Sequence, residues 1–145
     1  MPTDSTTRGW ANVLAEVPLF AGLSKRQLNR VAALGKPRRF PRYTAVVRAG
    51  DRGDTFYVIL EGTVVVRPPG KRASRLHVGD WFGEMALLDG APRAADVEAE
   101  TEVLLMAIGR PAFRKMIEAD PKVAVGLLTT LAERLRAAER SPSRW

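Results

Sequence analysis

The sequence contains no cysteine and only one histidine, and these two absences remove several kinds of site at once. Without cysteine, disulfide bonds, thiolate metal clusters and cysteine nucleophiles are excluded. His77 alone offers too few ligands for a zinc or iron centre, which also disfavours a metal-dependent jelly-roll enzyme of the cupin type. We therefore expect no bound metal.

Long hydrophobic runs and the common catalytic signatures are missing as well. No apolar stretch approaches a membrane span, and the polar start is unlike a signal peptide, so we expect a cytoplasmic protein with no membrane span. No G-x-S-x-G, P-loop or G-x-G-x-x-G sequence occurs. Glu84 could in isolation be a catalytic carboxylate, but no second acid lies at a recognisable spacing. We therefore expect a protein that is not an enzyme and has no cofactor.

The chain is basic, with a formal net charge of +7 and a pI near 10.5. Such an excess raises the question of nucleic-acid binding. The arginines are scattered, however, and no basic run is interleaved with aromatic side chains. The densest cluster, residues 36–39 with Arg42, is typical of a solvated face. We expect no specific nucleic-acid partner.

Length and composition indicate one globular domain with a substantial core, because 46% of the 145 residues are hydrophobic. We place this domain at residues 10–140, between a disordered N-terminal tail at 1–9 and a C-terminal tail at 141–145. Short β-branched and aromatic segments separated by turns predict an antiparallel sandwich or barrel in the middle of the chain. The expected strands lie at 45–48, 56–60, 63–67, 75–78, 96–99 and 103–108.

Helical patterns flank this central region on both sides. Residues 10–17 are expected to form a helix that Pro18 ends. Ser24 and Gln27 have the spacing of a capping box for a second helix, which stops at Gly35.

The C-terminal part of the chain returns to a helical period. Pro111 suits the first position of one helix, and Asp120 followed by Pro121 suits an N-cap and first position of another. The second of these helices carries apolar residues at helical spacing, which predicts a stripe that belongs to the core or to a dimer interface. The stripe consists of Ala124, Leu127, Leu128, Leu131 and Leu135.

Residues 79–97, GDWFGEMALLDGAPRAADV, contain the most informative stretch. Its apolar run is made of good helix formers, but Gly90 and Pro92 allow barely more than one turn. Such a turn leaves free backbone N–H groups near residues 83–86, and free amides at a helix start bind anions.

Two charged side chains in the same stretch complete the pattern. Arg93 brings a planar cation whose geometry suits phosphate oxygens. Glu84 is able to accept hydrogen bonds from sugar hydroxyl groups. Phosphate donors and a hydroxyl acceptor in one loop point to a nucleotide.

The string FGEMALLDGAPRAADV resembles the phosphate-binding cassette of the cyclic nucleotide-binding domain family, F-G-E-[hydrophobic]-A-L-[hydrophobic], a spacer and P-R-[small]-A-[Thr or Ser]-V. Residues 50–66, GDRGDTFYVILEGTVVV, resemble the family's glycine-punctuated strand pair, and LHVGD at 76–80 resembles the turn before the cassette. The resemblance covers roughly residues 20–136. It implies an α+β fold, an antiparallel β-barrel or jelly roll (double-stranded β-helix) flanked by N-terminal and C-terminal helices.

The resemblance also implies roles for individual residues. Arg93 matches the arginine that pairs with the exocyclic phosphate oxygens, and Glu84 matches the acid that binds the ribose 2′-hydroxyl. Gly83, Met85 and Ala86 would supply close backbone approach and amide donors to the phosphate.

Preference between nucleotides rests on a single position. Ala94 stands where members that favour cGMP often present a threonine or serine hydroxyl, so the resemblance favours cAMP over cGMP. Val66, Ala73 and Leu76 match apolar positions that pack around the ribose and base.

In the resembled family the C-terminal helix packs over the base and carries the signal, and this chain departs from the pattern at two places. Asp96 replaces the usual threonine or serine, and its carboxylate would oppose an anionic ligand unless strand alternation turns it outward. Hydroxyl residues that contact adenine in bacterial regulators are missing at 136–139. Base recognition must therefore be looser or come from Arg134, Glu139 or another chain.

Two functions from different classes remain open. The first is a regulatory module that senses a cyclic nucleotide and passes movement of its C-terminal helix to an effector protein or, as a homodimer, to a second copy. The second is a protein-interaction domain that has kept the fold and lost the ligand. Retention of both Glu84 and Arg93 favours the first. Since the printed chain ends at Trp145, we expect no helix-turn-helix and no DNA binding of that kind.

Overall fold

The computed structural model describes residues 7–140, so residues 1–6 of the expected N-terminal tail and the expected C-terminal tail at 141–145 lie outside the described residues. Residues 7–9, also expected in the N-terminal tail, belong to a helix. Five α-helices, a short 3₁₀ turn and eight strands follow one another in the described chain. In order they are α1 (Thr7–Leu14), the 3₁₀ turn (Pro18–Phe20), α2 (Lys25–Leu34), β1 (Lys36–Phe40), β2 (Ala45–Val47), β3 (Thr55–Glu61), β4 (Val64–Arg67), β5 (Ser74–Leu76), β6 (Trp81–Phe82), α3 (Glu84–Asp89), β7 (Asp96–Ala99), β8 (Val103–Gly109), α4 (Arg110–Ala119) and α5 (Pro121–Arg140).

The strands form two four-stranded antiparallel sheets with the orders β1-β8-β3-β6 and β2-β7-β4-β5. The predicted class, antiparallel β-structure flanked by helices at both ends, is confirmed. The hydrogen-bonded ladders of the described strands make two separate sheets rather than one closed barrel. A two-sheet roll buries one face of each sheet in a shared interior, and that interior positions the site described below.

Strand β3 contributes to two hydrophobic cores because successive side chains point to opposite faces of the sheet. Phe56 and Val58 pack beneath the helices, whereas Tyr57 and Ile59 fill the space between the sheets. With both faces covered, this strand reads as a continuous apolar run instead of an alternating one.

The predicted capping box is confirmed at the start of α2. The Ser24 hydroxyl accepts from the Gln27 amide at 3.1 Å, and the Gln27 side chain accepts from the Ser24 amide at 2.7 Å. The predicted first helix is displaced toward the N-terminus: α1 ends at Leu14, and Pro18 opens the 3₁₀ turn.

Two strands were not expected from the sequence. The basic residues at 36–39 form most of β1, an edge strand that pairs only with β8 in the described structure, and they are exposed as a solvated face should be. A proline and several charges on an edge strand prevent further strands from pairing there. β6 is two residues long, too short to give a periodic signal.

Helix α5 begins at Pro121 as predicted, but only part of the predicted stripe, including Leu127 and Leu131, packs against the core. Val123 and Leu127 are buried, whereas Leu128 and Leu135 of the predicted stripe are 65% and 60% exposed. Gly126 fixes this orientation, because a Cβ there would lie 2.8 Å from the carbonyl oxygen of Leu19. The close approach selects the inward face, so Leu128 and Leu135 of the stripe do not belong to the core of this chain, and a dimer interface at these residues stays a prediction.

The side chain of Asp120 has a different task from the capping role expected for it. Its Oδ1 accepts from Gln27 Nε2 at 2.9 Å and from Arg30 Nη1 at 3.3 Å, so the buried carboxylate ties α2 to the junction of α4 and α5.

Among residues 7–140, none of the helices combines the length and the apolar composition that a membrane span requires.

Candidate ligand-binding site

A cavity of about 420 Å³ opens where the second sheet meets α3 and the C-terminal half of α5. Its volume falls in the range of small-molecule sites, about 300–1,000 Å³. Its walls come from β2, β4, β5, β6 and β7, from α3 and the loop that follows it, and from one side chain of α5. The lining residues are Val47, Val66, Ser74, Leu76, Trp81, Phe82, Gly83, Glu84, Met85, Asp89, Ala91, Pro92, Arg93, Ala94, Ala95, Val97 and Arg134.

The structure brings together most of the residues that the sequence indicated. Eight line the cavity: Val66, Leu76, Gly83, Glu84, Met85, Arg93, Ala94 and Arg134. Ala86 is the third residue of α3. Ala73 is exposed and does not line the cavity; its neighbour Ser74, which pairs with Val66 across β4 and β5, does.

Arg93 is buried at the cavity wall, with 9% of its surface exposed, and its guanidinium contacts backbone carbonyls. Nη2 donates to the Thr55 oxygen at 2.8 Å, and Nη1 lies 3.4 Å from the Gly83 oxygen. Within residues 7–140 no carboxylate lies within ion-pair distance of this cation. A buried cation without a close counter-ion is costly, and a bound anion would compensate it.

Burial lowers the pKa of the Arg93 guanidinium from its usual value, and the more distant Tyr57, Asp54 and Glu84 partly oppose this change. Arginine nevertheless stays charged in proteins. The cavity wall therefore carries a positive charge that is poorly neutralised by the protein itself.

Gly83 is required between β6 and α3 for two reasons. Its φ of +98° lies in the left-handed region, which side chains other than glycine rarely adopt. A Cβ there would also lie 2.6 Å from the Thr55 oxygen and 2.8 Å from Arg93 Nη1. The glycine thus lets the backbone approach the guanidinium at the start of α3, where the first amides are free of intrahelical partners.

Glu84 is buried, with 2% exposure, and forms an ion pair with a residue fifty positions further along the chain. Arg134 Nη1 of α5 lies 2.5 Å from Glu84 Oε2, and the arginine side chain is 49% exposed. Arg134, one of the residues that the sequence offers for contact with the base, lies on this carboxylate and also lines the cavity. The pair connects the cassette directly to the C-terminal helix.

The opposite side of the cavity is apolar. Val47, Val66, Leu76 and Val97 come from the second sheet, and Phe82, stacked on Tyr57 with ring centroids 5.0 Å apart, comes from the first. Val47, Phe82 and Val97 were not selected from the sequence, although each stands at an inward position of a strand. Strand alternation around the cassette could have identified them.

Asp96 does not line the cavity, whereas the next residue, Val97, does. The carboxylate Oδ1 accepts instead from the Ala49 amide at 2.7 Å. Alternation along β7 thus turns the Asp96 side chain, which departs from the family pattern, away from the site.

Among the described residues no group of three or more His, Asp or Glu side chains is placed to hold a metal ion.

These features together suit a small molecule with an anionic group and an apolar body. One wall supplies a buried cation and free helix amides, the other supplies aliphatic and aromatic surface, and a buried carboxylate offers a hydrogen-bond acceptor between them. This chemistry agrees with the comparisons to known proteins.

A family model described as cyclic nucleotide-binding domain matches residues 37–120, more than half of the chain. The chain belongs to this family. It is 36% identical over 88% of its length to a cyclic nucleotide-gated potassium channel of Rhizobium etli, of which it covers 35%. It is 35% identical over 79% of its length to the cAMP-dependent protein kinase regulatory subunit of Pyricularia oryzae, of which it covers 30%.

Solved structures agree with the fold. The catabolite activator protein of Thermus thermophilus superposes with a TM-score of 0.79 at 32% identity, over 84% of this chain and 60% of that one. The chain spans about a third of the length of the two curated relatives. Their names describe a channel and a kinase regulatory subunit.

Proposed function

We propose that the chain is a regulatory module that binds a 3′,5′-cyclic nucleotide and prefers cAMP to cGMP. The observation that carries this proposal is the buried guanidinium of Arg93, which lines the cavity without a carboxylate partner in the described residues. An exocyclic phosphate beside it would supply the missing negative charge. The amides of residues 83–86 at the start of α3 would donate to the same phosphate.

Glu84 is the acceptor for the ribose 2′-hydroxyl in this proposal. Glu84 Oε2 accepts from Arg134, so the sugar hydroxyl would donate to the other carboxylate oxygen or displace the arginine. Val66, Leu76 and Val97 would pack against the ribose and base. Ala94 offers no hydroxyl to a guanine, and this is the residue on which the preference for cAMP rests.

The experiment is isothermal titration calorimetry with cAMP, cGMP and linear 5′-AMP. The expected order of affinity is cAMP, then cGMP, then 5′-AMP. Arg93→Ala should weaken cAMP binding about 30- to 1,000-fold, since a charge-assisted contact is lost. Arg114→Ala, which removes an exposed arginine of α4, is the matched control and should bind as the parent does. Absence of heat and of any thermal shift at millimolar nucleotide would refute the proposal.

Helix α5 is the proposed output, with the Glu84–Arg134 ion pair as its connection to the ligand. The first part of the helix is anchored by Val123 and Leu127, whereas residues 132–137 are all exposed. A ligand that binds Glu84 would weaken or strengthen the Glu84–Arg134 ion pair, and with it the attachment of residues 132–137 to the cassette. A ligand shifts such an equilibrium by its differential affinity for the two arrangements, typically about 1–3 kcal/mol.

Amide hydrogen exchange across residues 127–135, with and without saturating cAMP, measures this coupling. The parent should show a ligand-dependent change, and Arg134→Ala should lose most of it. Arg136→Ala removes an exposed arginine two residues later on the same helix and should keep the change. Identical exchange in the parent with and without ligand would assign α5 a purely structural role.

The second candidate, a protein-interaction domain, is favoured by an apolar surface on α5. Val125, Leu128 and Leu135 are 60%, 65% and 60% exposed. At about 100° per residue, Val125 lies opposite the side of the helix that carries Val123 and Leu127, and Leu128 and Leu135 lie on one flank of that side. Such a surface suits an effector protein or the second copy of a homodimer, and analytical ultracentrifugation of the parent and of Leu128→Glu distinguishes these partners. A cytoplasmic location remains an expectation in either case.

A further inference from the structure

Asp96 occupies the position at which this chain departs from the threonine or serine expected in the cassette, and its surroundings give it a definite task. It is the first residue of β7 and half-buried, and its side chain is turned away from the cavity that Val97 lines. The carboxylate is therefore not aimed at a ligand. Its acceptor oxygen is used on the neighbouring strand.

That strand, β2, pairs irregularly with β7. The register shifts between Ala45 and Val47, and the ladder ends at the pair Val47 and Val97. The Ala49 amide lies beyond the last pair, and Asp96 Oδ1 accepts from it at 2.7 Å. A side-chain oxygen thus takes the place of the backbone carbonyl that would continue the ladder.

Ala49 belongs to a tight turn formed by residues 48–51. The Asp51 amide donates to the Arg48 carbonyl at 3.2 Å, and Gly50 has a φ of +89°. The other side of this turn is bonded to the backbone of Arg93 in both directions. The Gly50 amide donates to the Arg93 carbonyl, and the Arg93 amide donates to the Asp51 carbonyl, each at 2.8 Å.

We propose that Asp96 is a positioning residue for Arg93, acting through the turn at 48–51. It fastens the turn on one side, and the turn fixes the backbone of Arg93 on the other. With its backbone fixed, Arg93 extends Nη2 to the Thr55 carbonyl at the cavity wall. This inference rests on the proposed function, because it assigns to Asp96 a part in the affinity of the same site.

The competing account is electrostatic: a carboxylate near the phosphate site lowers the affinity for an anion. Three variants separate the two accounts. Asp96→Ala removes the acceptor and the charge, and Asp96→Asn removes the charge but keeps an acceptor oxygen. Glu98→Ala removes a carboxylate on the same face of β7, two residues away, whose partner is Arg67 at 3.6 Å.

The first measurement is calorimetry with cAMP. The positioning role predicts that Asp96→Ala binds about tenfold more weakly, whereas Asp96→Asn and Glu98→Ala stay within about twofold of the parent. Adding Asp96→Ala to Arg93→Ala should cause no further loss, because the effect passes through Arg93. Tighter binding by both Asp96 variants would overturn the inference in favour of electrostatic repulsion, and unchanged binding by all variants would overturn it outright.

The second measurement needs no ligand and so separates this inference from the proposed function. Amide exchange at Gly50 and Arg93 in the free protein should accelerate in Asp96→Ala and not in Asp96→Asn or Glu98→Ala. A parent that binds no nucleotide would refute the proposed function, while these exchange rates would still test the link from Asp96 to Arg93. Equal exchange in all four proteins would refute that link.

Discussion

Replacing Arg93 with methionine should affect ligand binding and folding stability very differently. Methionine fills a similar volume without a charge, so the cavity wall is preserved while the cation is removed. The guanidinium now sits at 9% exposure with carbonyl partners alone among the described residues. We therefore expect Arg93 to contribute more to the free energy of ligand binding than to the free energy of folding.

The magnitude follows from two opposing terms. The bond to the Thr55 carbonyl at 2.8 Å is charge-assisted and worth about 1.5–3 kcal/mol, whereas the 3.4 Å contact with the Gly83 carbonyl contributes little. Against this loss, removal of a poorly compensated buried cation relieves a desolvation penalty of several kcal/mol. We therefore expect the free energy of unfolding to stay within about 1 kcal/mol of the parent, while binding of cAMP loses about 2–4 kcal/mol.

Urea denaturation measures the free energy of unfolding, and titration calorimetry measures the binding of cAMP. Thermal melting without and with cAMP compares the two proteins by a third method. A cAMP concentration about tenfold above the dissociation constant of the parent should raise the melting temperature of the parent and leave that of Arg93→Met nearly unchanged, because only a bound ligand stabilises the native state. A variant that is destabilised by more than about 3 kcal/mol but binds cAMP as tightly as the parent would refute the reasoning. Arg93 would then be a structural residue.

Three further outcomes are expected. Gly83→Ala should weaken cAMP binding at least about tenfold in calorimetry, because a Cβ would lie 2.6 Å from the Thr55 oxygen at a φ of +98°; unchanged affinity would contradict this account of the turn. Glu84→Gln should bind cAMP and its 2′-deoxy analogue within about threefold of each other, whereas the parent should prefer cAMP by about tenfold or more; equal preference in both proteins would exclude Glu84 as the ribose acceptor. Gly126→Ala should lower the free energy of unfolding by about 1 kcal/mol or more in urea, since the added carbon lies 2.8 Å from the Leu19 oxygen; stabilisation, as helix propensity alone predicts, would show that the contact relaxes freely.

Local chemistry in the sequence was sufficient for several features. The capping box at Ser24 depends on residues three positions apart, and the structure confirms it. Arg93 and Glu84 were selected together because they fall within one short motif, and both line the same cavity. The fold class followed from the family resemblance and from alternating segments, whose period reflects the two faces of a sheet.

A one-residue ambiguity marks the limit of that approach. Ala73 was expected beside the ligand, but β5 begins at Ser74, and it is Ser74 that lines the cavity opposite Val66. Successive residues of a strand point to opposite faces, so an error of one position exchanges inside for outside. Short strands leave too few residues for their sequence to fix that choice.

Contacts between distant segments were decided by the tertiary structure. Glu84 meets Arg134 across fifty positions of chain, and Asp96 meets the Ala49 amide across forty-seven. The inward face of α5 likewise follows from the approach of Gly126 to the Leu19 carbonyl. The sequence by itself determined which groups were present at the site and the local turn that presents them. Which partner each charged group takes depends on how the sheets and helices pack, because burial and distance set the strength of an electrostatic contact.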